Sequence, residues 1–459
     1  MTRAARALLV AAAGLALSLP PLHAQDEAQP PAAEVPANEV PASEVPAEDR
    51  PEFSFGGVST TALEYQVAAP IIAAGRSSLK PMLALRSPFF DLTVTVTVTV
   101  DSVENVSIAW DEARALARIG DAALLSGGVF TYLPGTALFF SNVEYFSSID
   151  VSRILTQGLG ATGSPDGMVQ LKLFGDSWHL TATASPFRPS EELFPTGSPW
   201  FPRRDIRESF DVLSTTYTLR NLAWDETSVS TSPVQDPGLS FEAGFFTGPL
   251  DLSLSWFDGP DRAPAVTGFI TMPVTPWGVY DITLSQVHSR IRREGAAGSL
   301  QVGPWKAWVD TSLFQGKVLA SGDLYSAADG WQTGTASRDG LDLTLGMSWS
   351  FPWASAMLAV EWKDAWFFAD TTGLTLPLLD RAIAALATAS ILDDKVNGSL
   401  AAVLSLADLS FALISGATVD LGGETSLSVA CPWFFGDPST ELGQFGRVGR
   451  GILTLAIRF

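Results

Sequence analysis

The nine residues from Leu92 to Val100 read LTVTVTVTV and give the clearest indication of the fold. Threonines alternate with apolar side chains without a break, and every residue after Leu92 is β-branched. Strict alternation over this length predicts a β-strand whose two faces meet different surroundings. The sequence therefore predicts a sheet with an apolar environment on one face and a polar environment on the other.

The same alternation recurs along the chain. Residues 341–351 place large apolar side chains on one face and polar or small ones on the other, and residues 239–256 and 169–184 repeat the pattern on both sides of a short turn. Short turns between such segments indicate antiparallel hairpins. Further strands are expected at residues 53–67, 106–115, 124–133, 213–224, 279–302 in two pieces, 305–314, 356–363, 396–404, 411–421, 425–434 and 451–459. The total is about 16 strands, with limits of about 14 and about 18.

The composition excludes several classes of protein. The chain has 459 residues with 49 acidic and 28 basic side chains, which gives a formal net charge of −21. This balance argues against a nucleic-acid partner, because phosphates are bound by clustered lysine and arginine. The single cysteine, Cys431, excludes a disulfide within the chain and a zinc site built from several cysteines.

The first 52 residues are predicted to lie outside the folded domain. Arg3 and Arg6 precede an uncharged apolar stretch, and a small residue at Ala24 offers a cleavage point, so residues 1–24 are expected to be a signal peptide. Residues 25–52 contain a repeated Glu-Val-Pro-Ala and are expected to form an extended acidic, proline-rich linker.

The domain over residues 53–459 lacks a run of about 18 uncharged apolar residues, the length that a membrane-spanning helix needs. The longest such run, residues 382–392, is compatible with a short helix that caps or plugs the domain. Any crossing of a membrane would therefore have to be made by strands.

The chain ends with a strand pattern in which Leu453, Leu455, Ile457 and the terminal Phe459 share one face. This ending resembles the assembly signal of Gram-negative outer-membrane β-barrels. The resemblance implies location in the outer membrane, with the lipids of that membrane and its barrel assembly machinery as partners. Because every backbone group in lipid must be paired, strands can span a membrane only in a closed sheet. We therefore predict an all-β, antiparallel, up-and-down transmembrane barrel.

Weaker resemblances point to a narrower group. Tyr132-Leu133-Pro134-Gly135 with the aromatic residues that follow, the turn from Trp256 to Arg262, and Gly436 with Glu441-Leu442-Gly443 are similar to motifs in porin-like outer-membrane barrels of spirochaetes and proteobacteria. These patches cover about half of the domain. The resemblance implies a channel more than any particular solute.

The odd or even position of a residue along its strand, called its parity here, decides which face of the sheet it lies on. Parity identifies candidate residues for the polar face. Glu242, Asp251, Asp342, Glu361 and Lys363 alternate with large apolar residues and are expected to line a lumen. We expect these residues to replace part of the hydration of a passing solute. The acidic excess predicts a mild preference for cations, unless loop arginines dominate the narrowest point of the lumen.

A second group of candidates lies in the long irregular segment 186–210. Arg203, Arg204 and Arg207 could narrow the channel if this segment folds inward, because rings of charge set the ion preference of a pore. The alternative is that these arginines pair with the acidic residues of the same segment and hold an outer loop together.

No enzymatic role is predicted. After removal of the signal peptide only His179 and His288 remain, and no motif places either beside an activated nucleophile. No dinucleotide, phosphate-loop or metal pattern is present, so no cofactor and no metal are expected.

The sequence favours an outer-membrane channel for diffusion or uptake of small hydrophilic or amphipathic solutes. The alternative is a surface adhesin or structural barrel with an occluded lumen. The sequence leaves the oligomeric state and the solute open.

Overall fold

The computed structural model describes residues 52–66, 71–101, 106–132, 135–143, 145, 165–186, 209–212, 215–225, 237–261, 265–271, 278–327, 330–448 and 450–459. The predicted signal peptide, all but one residue of the predicted linker, and Arg203, Arg204 and Arg207 lie outside these ranges.

The regular secondary structure of the described residues consists of strands and one short 3₁₀ helix. The strands are β1 Glu52–Gln66, β2 Ile71–Arg86, β3 Phe90–Asp101, β4 Val106–Ile119, β5 Ala123–Phe130, β6 Asp166–Phe174, β7 Trp178–Ser185, β8 Ser209–Val212, β9 Thr215–Trp224, β10 Gly238–Thr247, β11 Leu250–Pro260, β12 Ala265–Thr271, β13 Val279–Val287, β14 Arg290–Val302, β15 Trp305–Ala327, β16 Gly330–Ser350, β17 Ala356–Phe367, β18 Leu374–Thr375, β19 Ala382–Ile391, β20 Val396–Ser405, β21 Phe411–Gly422, β22 Thr425–Phe435 and β23 Arg450–Arg458. The 3₁₀ helix is Gly443–Val448.

Most of these strands form one closed antiparallel ring. Each ring strand pairs with the next in the order β1 to β7, β10, β11, β14 to β17 and β19 to β23. The ring closes because β23 pairs with β1, from Val58 opposite Arg458 to Gln66 opposite Arg450. The backbone groups of Gly57 and Phe459 exchange hydrogen bonds of 2.9 and 3.0 Å at this seam.

The predicted all-β closed barrel is confirmed, and its strand number is corrected. Within the described residues, five of the 23 strands lie outside the ring, which leaves 18 rather than about 16. The sequence estimate lacked β2, whose residues 71–86 alternate weakly, and β19. It also placed residues 213–224 and the first piece of 279–302 in the barrel.

Those two segments, β9 and β13, belong to a separate small sheet with β8 and β12. In this sheet β9 and β13 pair in parallel, and the sheet meets the ring where Ile270 lies opposite Trp331. Tyr280, Ile282 and Leu284 form its core. Alternation identified these strands correctly, but it reports only that one face is buried and not which sheet buries it.

The helix considered for residues 382–392 is wrong, since this segment is strand β19. Ala382, Ala384 and Leu386 are buried on the inner side, while the residues between them face outward. A strand with small or apolar residues on both faces reads as a continuous apolar run, which periodicity cannot distinguish from a helix.

The two ends of the ring differ. At the end that carries Glu52 and Phe459, the ring strands are joined by turns of two to five residues, such as Gly248-Pro249 and Gly303-Pro304. Gly248 and Gly303 adopt positive φ angles of 48° and 57°, which residues with a side chain rarely adopt. The opposite end, called the long-loop end here, carries the longer connections, including residues 131–165 between β5 and β6.

The two faces of the ring carry different residues. One face exposes large apolar side chains, including Phe241, Leu254, Leu345, Met347, Val360, Leu453 and Leu455. The other face carries buried polar side chains, including Thr181, Ser240, Asp310, Thr344 and Glu361. This division matches a barrel that is apolar toward lipid and polar inside. Within the described part of the chain, no helix has the length and apolarity that crossing a membrane would require.

Candidate functional site

A piece of the connection between β5 and β6 folds against the inner face of the ring. We call residues 131–145 the inward segment, of which the structure describes 131–132, 135–143 and 145. The segment contacts β10, β11, β15, β16 and β17 through side chains on the inner face of these strands, and β14 through the backbone carbonyl of Gly298. The inward segment therefore occupies part of the space inside the ring.

Glu361 on β17 anchors the middle of the inward segment. Its carboxylate accepts the backbone N–H groups of Leu138, Phe139 and Phe140, the last two at 2.7 and 3.2 Å. It also accepts the indole N–H of Trp308 at 2.8 Å, and Glu361 is 0% exposed. Hydrogen bonds to an ionised group are stronger than neutral ones, so this buried carboxylate fixes the backbone of the segment.

A second anchor lies two residues further along the segment. The Ser141 hydroxyl donates to the Asp310 carboxylate at 3.0 Å, and the Asn142 amide donates to the Asp310 carbonyl at 2.9 Å and to the Thr344 hydroxyl at 3.1 Å. Thr344 in turn donates to the carbonyl of Phe140 at 2.8 Å. Because Asp310 and Thr344 are both 0% exposed, the segment excludes water from this part of the wall.

The start of the segment is held by a tyrosine. The Tyr132 hydroxyl donates to the Glu242 carboxylate on β10, and the other carboxylate oxygen lies 3.3 Å from His179 Nε2 on β7. Burial, followed by the nearby charge of Glu242, raises the pKa of Tyr132. The phenol therefore remains a hydrogen-bond donor at any physiological pH.

The far end of the described segment packs against β11 and β14. The ring of Tyr145 stacks on Phe257 at 4.9 Å, and its hydroxyl lies 2.7 Å from the Ser255 hydroxyl. Burial raises the pKa of Tyr145 to about 12. Gly295 makes room for this contact, since a Cβ there would lie 2.6 Å from the Tyr145 hydroxyl and from Val143.

A second inward element contributes an apolar layer. Leu442 and Phe445, in and beside the 3₁₀ helix, form one buried cluster with Leu386, Ile414 and Phe434 on the inner face. Ala137 and Phe139 of the inward segment pack against the same cluster. The inner wall from β15 to β22 is therefore partly covered by protein and is not a uniform polar lining.

The predicted lumen residues have different surroundings. Glu361 lies beneath the inward segment, Glu242 contacts Tyr132 and His179, and Asp342 forms an ion pair of 3.2 Å with Arg293. Lys363 places its ammonium 5.5 Å from the centre of the Phe140 ring. Asp251 lies apart from this group, beside the Gly248-Pro249 turn and opposite Ser299. The role of Arg203, Arg204 and Arg207 remains a prediction because they lie outside the described residues.

The wall formed by β2 to β4 carries a different arrangement. Lys80 pairs with Asp111 at 3.2 Å, and Arg118 pairs with Asp91 at 2.5 Å. The two cations are 47% and 42% exposed, so these pairs meet solvent. This wall carries partly exposed charges where the covered wall carries buried ones.

The inward segment itself was not recognised as a site from the sequence. The sequence features that mark this segment are Tyr132-Leu133-Pro134-Gly135, a cluster of aromatic residues and a long connection between two predicted strands. Aromatic residues in a long loop predict burial against something, but parity cannot identify the wall that receives them. The inward fold was considered instead for residues 186–210.

Within the described ranges, no group of three or more His, Cys, Asp or Glu side chains is arranged to hold a metal ion. The closed antiparallel ring, its apolar outer face and its polar inner face define the class of this protein. It is a transmembrane β-barrel of the bacterial outer-membrane type.

Comparisons with known proteins add similarities at the level of overall architecture. No family model and no curated protein matches this chain. Among solved structures, OmpT, an outer membrane protein of Vibrio cholerae, is 9% identical, with 90% of this chain and 99% of that chain covered at a TM-score of 0.41. Salmonella typhi OmpF is 8% identical, with 89% and 97% covered at a TM-score of 0.40. A porin of Rh. blastica is 10% identical, with 89% and 99% covered at 0.38. Similarities this low carry no argument about the function of this chain.

Proposed function

We propose that this protein is a diffusion channel for small hydrophilic or amphipathic solutes, narrowed by the inward segment. The observation that carries the proposal is the anchoring of residues 135–143 and Tyr145 inside the ring by buried polar groups on several strands. A loop fixed in this way keeps a constant position in the lumen, as a filter for solute size requires. Solutes would pass between the inward segment and the solvated wall of β2 to β4.

The mechanism we propose is diffusion down a concentration gradient without chemical change of the solute. Polar side chains along the free wall replace part of the hydration shell, and the inward segment limits the size of what passes. Lys80, Asp111, Arg118 and Asp91 are among the described charged groups that face this path in our proposal. Catalysis by His179 or His288 is not part of it.

A second candidate is a structural or adhesive barrel with an occluded lumen. Contact of the inward segment with the apolar cluster of Leu442 and Phe445 favours it, because two inward elements that pack together occupy more of the lumen than one. The small sheet of β8, β9, β12 and β13 also offers a separate folded surface at the long-loop end. In this candidate the ring is a scaffold for that surface.

Planar bilayer recording distinguishes the two candidates. The native protein is compared with a variant in which residues 136–142 are replaced by three glycines. A channel gives conductance steps in the native protein and steps several-fold larger in the variant. An occluded barrel gives no native steps and opens only after the replacement.

The matched control is Asp251→Asn, a change of one inward charge far from the inward segment. It should leave the step size within about twofold of the native value, because an exposed side chain near a wide mouth adds little resistance. If both native protein and loop variant lack steps at every voltage, the diffusion proposal is wrong.

We also propose that Phe459 serves membrane assembly. Its ring lies 6.3 Å from that of Phe55 across the β1–β23 seam, and its backbone pairs with Gly57. Phe459→Ala should slow insertion in cells while the protein refolded in detergent retains its barrel. Equal surface levels of Phe459→Ala and native protein would contradict this role.

A further inference from the structure

Three cationic side chains meet on the inner face, between the inward segment and the long-loop end. They are Arg293 on β14, Lys317 on β15 and Lys363 on β17. Arg293 and Lys317 each lie 5.7 Å from the centre of the Phe314 ring. The Phe140 ring of the inward segment carries Lys363 at 5.5 Å. Aromatic faces hold these cations without neutralising them.

Within the described ranges, the carboxylates around this cluster make a direct ion pair with its arginine but not with its two lysines. Asp342 is paired with Arg293 at 3.2 Å, and both side chains are largely buried, with 12% and 13% exposed. Lys363 interacts electrostatically with Asp342, Asp380, Arg293 and Lys317. Among the described residues, neither Lys317 nor Lys363 forms an ion pair or a hydrogen bond through its ammonium group.

A half-buried ammonium group without a direct ion pair is costly, because it has lost part of its hydration and contacts no counter-charge. Cations that line a cleft with low-dielectric walls attract anions from solution. A bound oxyanion would supply the counter-charge that the two lysines lack in direct contact. The aromatic rings of Phe140 and Phe314 would border it on the apolar side.

We propose that Arg293, Lys317 and Lys363 form a binding subsite for the carboxylate or phosphate group of an anionic solute. The subsite lies on the long-loop side of the inward segment, so it would meet solutes entering from that end. The inference rests on the proposed channel function only for access of the solute through the barrel. It opposes the mild cation preference that the net charge of the chain predicts.

The experiment uses inorganic phosphate as the probe and the full-length protein in two measurements. In planar bilayers, phosphate added on the long-loop side should reduce the chloride current of the native channel in a saturable manner. In detergent, isothermal titration calorimetry should detect phosphate binding whether or not the barrel conducts. The double variant Lys317→Met, Lys363→Met should weaken both effects by about tenfold or more.

Two further variants guard against a folding artefact. Lys363→Arg keeps the charge and should retain phosphate binding within about threefold. Arg292→Gln removes a cation that neighbours Arg293 but faces outward, where it lies beside Glu294 at 3.6 Å, and should leave binding unchanged. Loss of binding in Arg292→Gln as well would show a nonspecific charge effect and overturn the subsite.

The outcomes separate the two proposals. Native conductance without any effect of phosphate, and no phosphate binding in detergent, would overturn the subsite while leaving the channel intact. Phosphate binding that depends on Lys317 and Lys363 in a barrel that never conducts would support the subsite and overturn the channel.

Discussion

Two walls of the same barrel use the same kinds of charged residue in opposite ways. On the wall covered by the inward segment, Glu361 and Asp310 are fully buried and accept hydrogen bonds from the segment. On the solvated wall, Asp91 and Asp111 pair with exposed cations. All four carboxylates lie on ring strands, yet the first two fix a loop and the second two meet solvent. Burial by a distant segment of the chain, and not residue type or parity, creates the difference.

The largest expected effect is on the covered wall. Glu361→Gln removes the charge that three backbone N–H groups and the Trp308 indole share, and should lower the free energy of unfolding by about 2–4 kcal/mol. Denaturant unfolding in detergent micelles measures the loss, and proteolysis reports whether the inward segment becomes accessible. The matched change on the solvated wall is Asp91→Asn, for which we expect a loss below about 1 kcal/mol. Equal losses would remove the distinction between the walls.

A steric test of the covered wall comes next in size. Gly295→Ala places a methyl group against Val143 and Tyr145, and forced repacking of this kind costs about 1–3 kcal/mol. Denaturant unfolding followed by protein fluorescence measures the loss in free energy of unfolding. Gly127→Ala is the control, because its Cβ would meet only Val169 at 3.8 Å, an ordinary contact. A stable Gly295→Ala with unchanged conductance would mean that the segment does not pack closely here.

A pH test examines the second inward element. The Asp408 carboxylate accepts the N–H groups of Glu441 and Ser410 and the Ser410 hydroxyl. Burial acts to raise the pKa of Asp408, but these hydrogen bonds outweigh it and lower the pKa overall. The folded-state pKa therefore lies below the unfolded value, so the stabilisation is present at neutral pH and is lost as pH falls through the folded-state pKa.

Stability of the native protein and of Asp408→Asn, measured between neutral pH and strongly acidic pH, checks this expectation. The two should differ by about 1 kcal/mol at neutral pH and converge in acid. A difference that persists unchanged at the lowest pH would assign the effect to packing and not to ionisation.

The smallest effect is expected on the solvated wall. A double-mutant cycle with Lys80→Gln and Asp111→Asn should give a coupling below about 1 kcal/mol, which added salt reduces further. Denaturant unfolding at low and high ionic strength provides the measurement. A large, salt-insensitive coupling would indicate that this pair is also buried in the working protein.

Local sequence allowed most ring strands to be predicted. It failed at β2, where the alternation is weak, and at β19, where both faces meet apolar surroundings. Leu92 to Val100 lies between one apolar and one polar environment, so its alternation is complete. Residues 382–391 face lipid on one side and the apolar inner cluster on the other, so the alternation disappears. β9 and β13 alternate like ring strands because a small sheet also has one buried face.

The candidate residues show the same limit. Parity selected Glu361 and Lys363 as inward groups, but it gave no sign that one would anchor a loop and the other would lie over Phe140. Those contacts join residues more than 200 positions apart in the chain. No local pattern encodes a contact at that separation.

The sequence by itself determined that this protein is a sheet with an apolar face and a polar face, ending in a strand that can close a ring. Alternation is a local property, because each side chain on a strand points away from its neighbours whatever the rest of the chain does. Only the tertiary structure decided how many strands the ring has, which loop enters it and which carboxylates that loop buries. These depend on closure and on contacts between distant segments, whose free energy exists only once the barrel has formed.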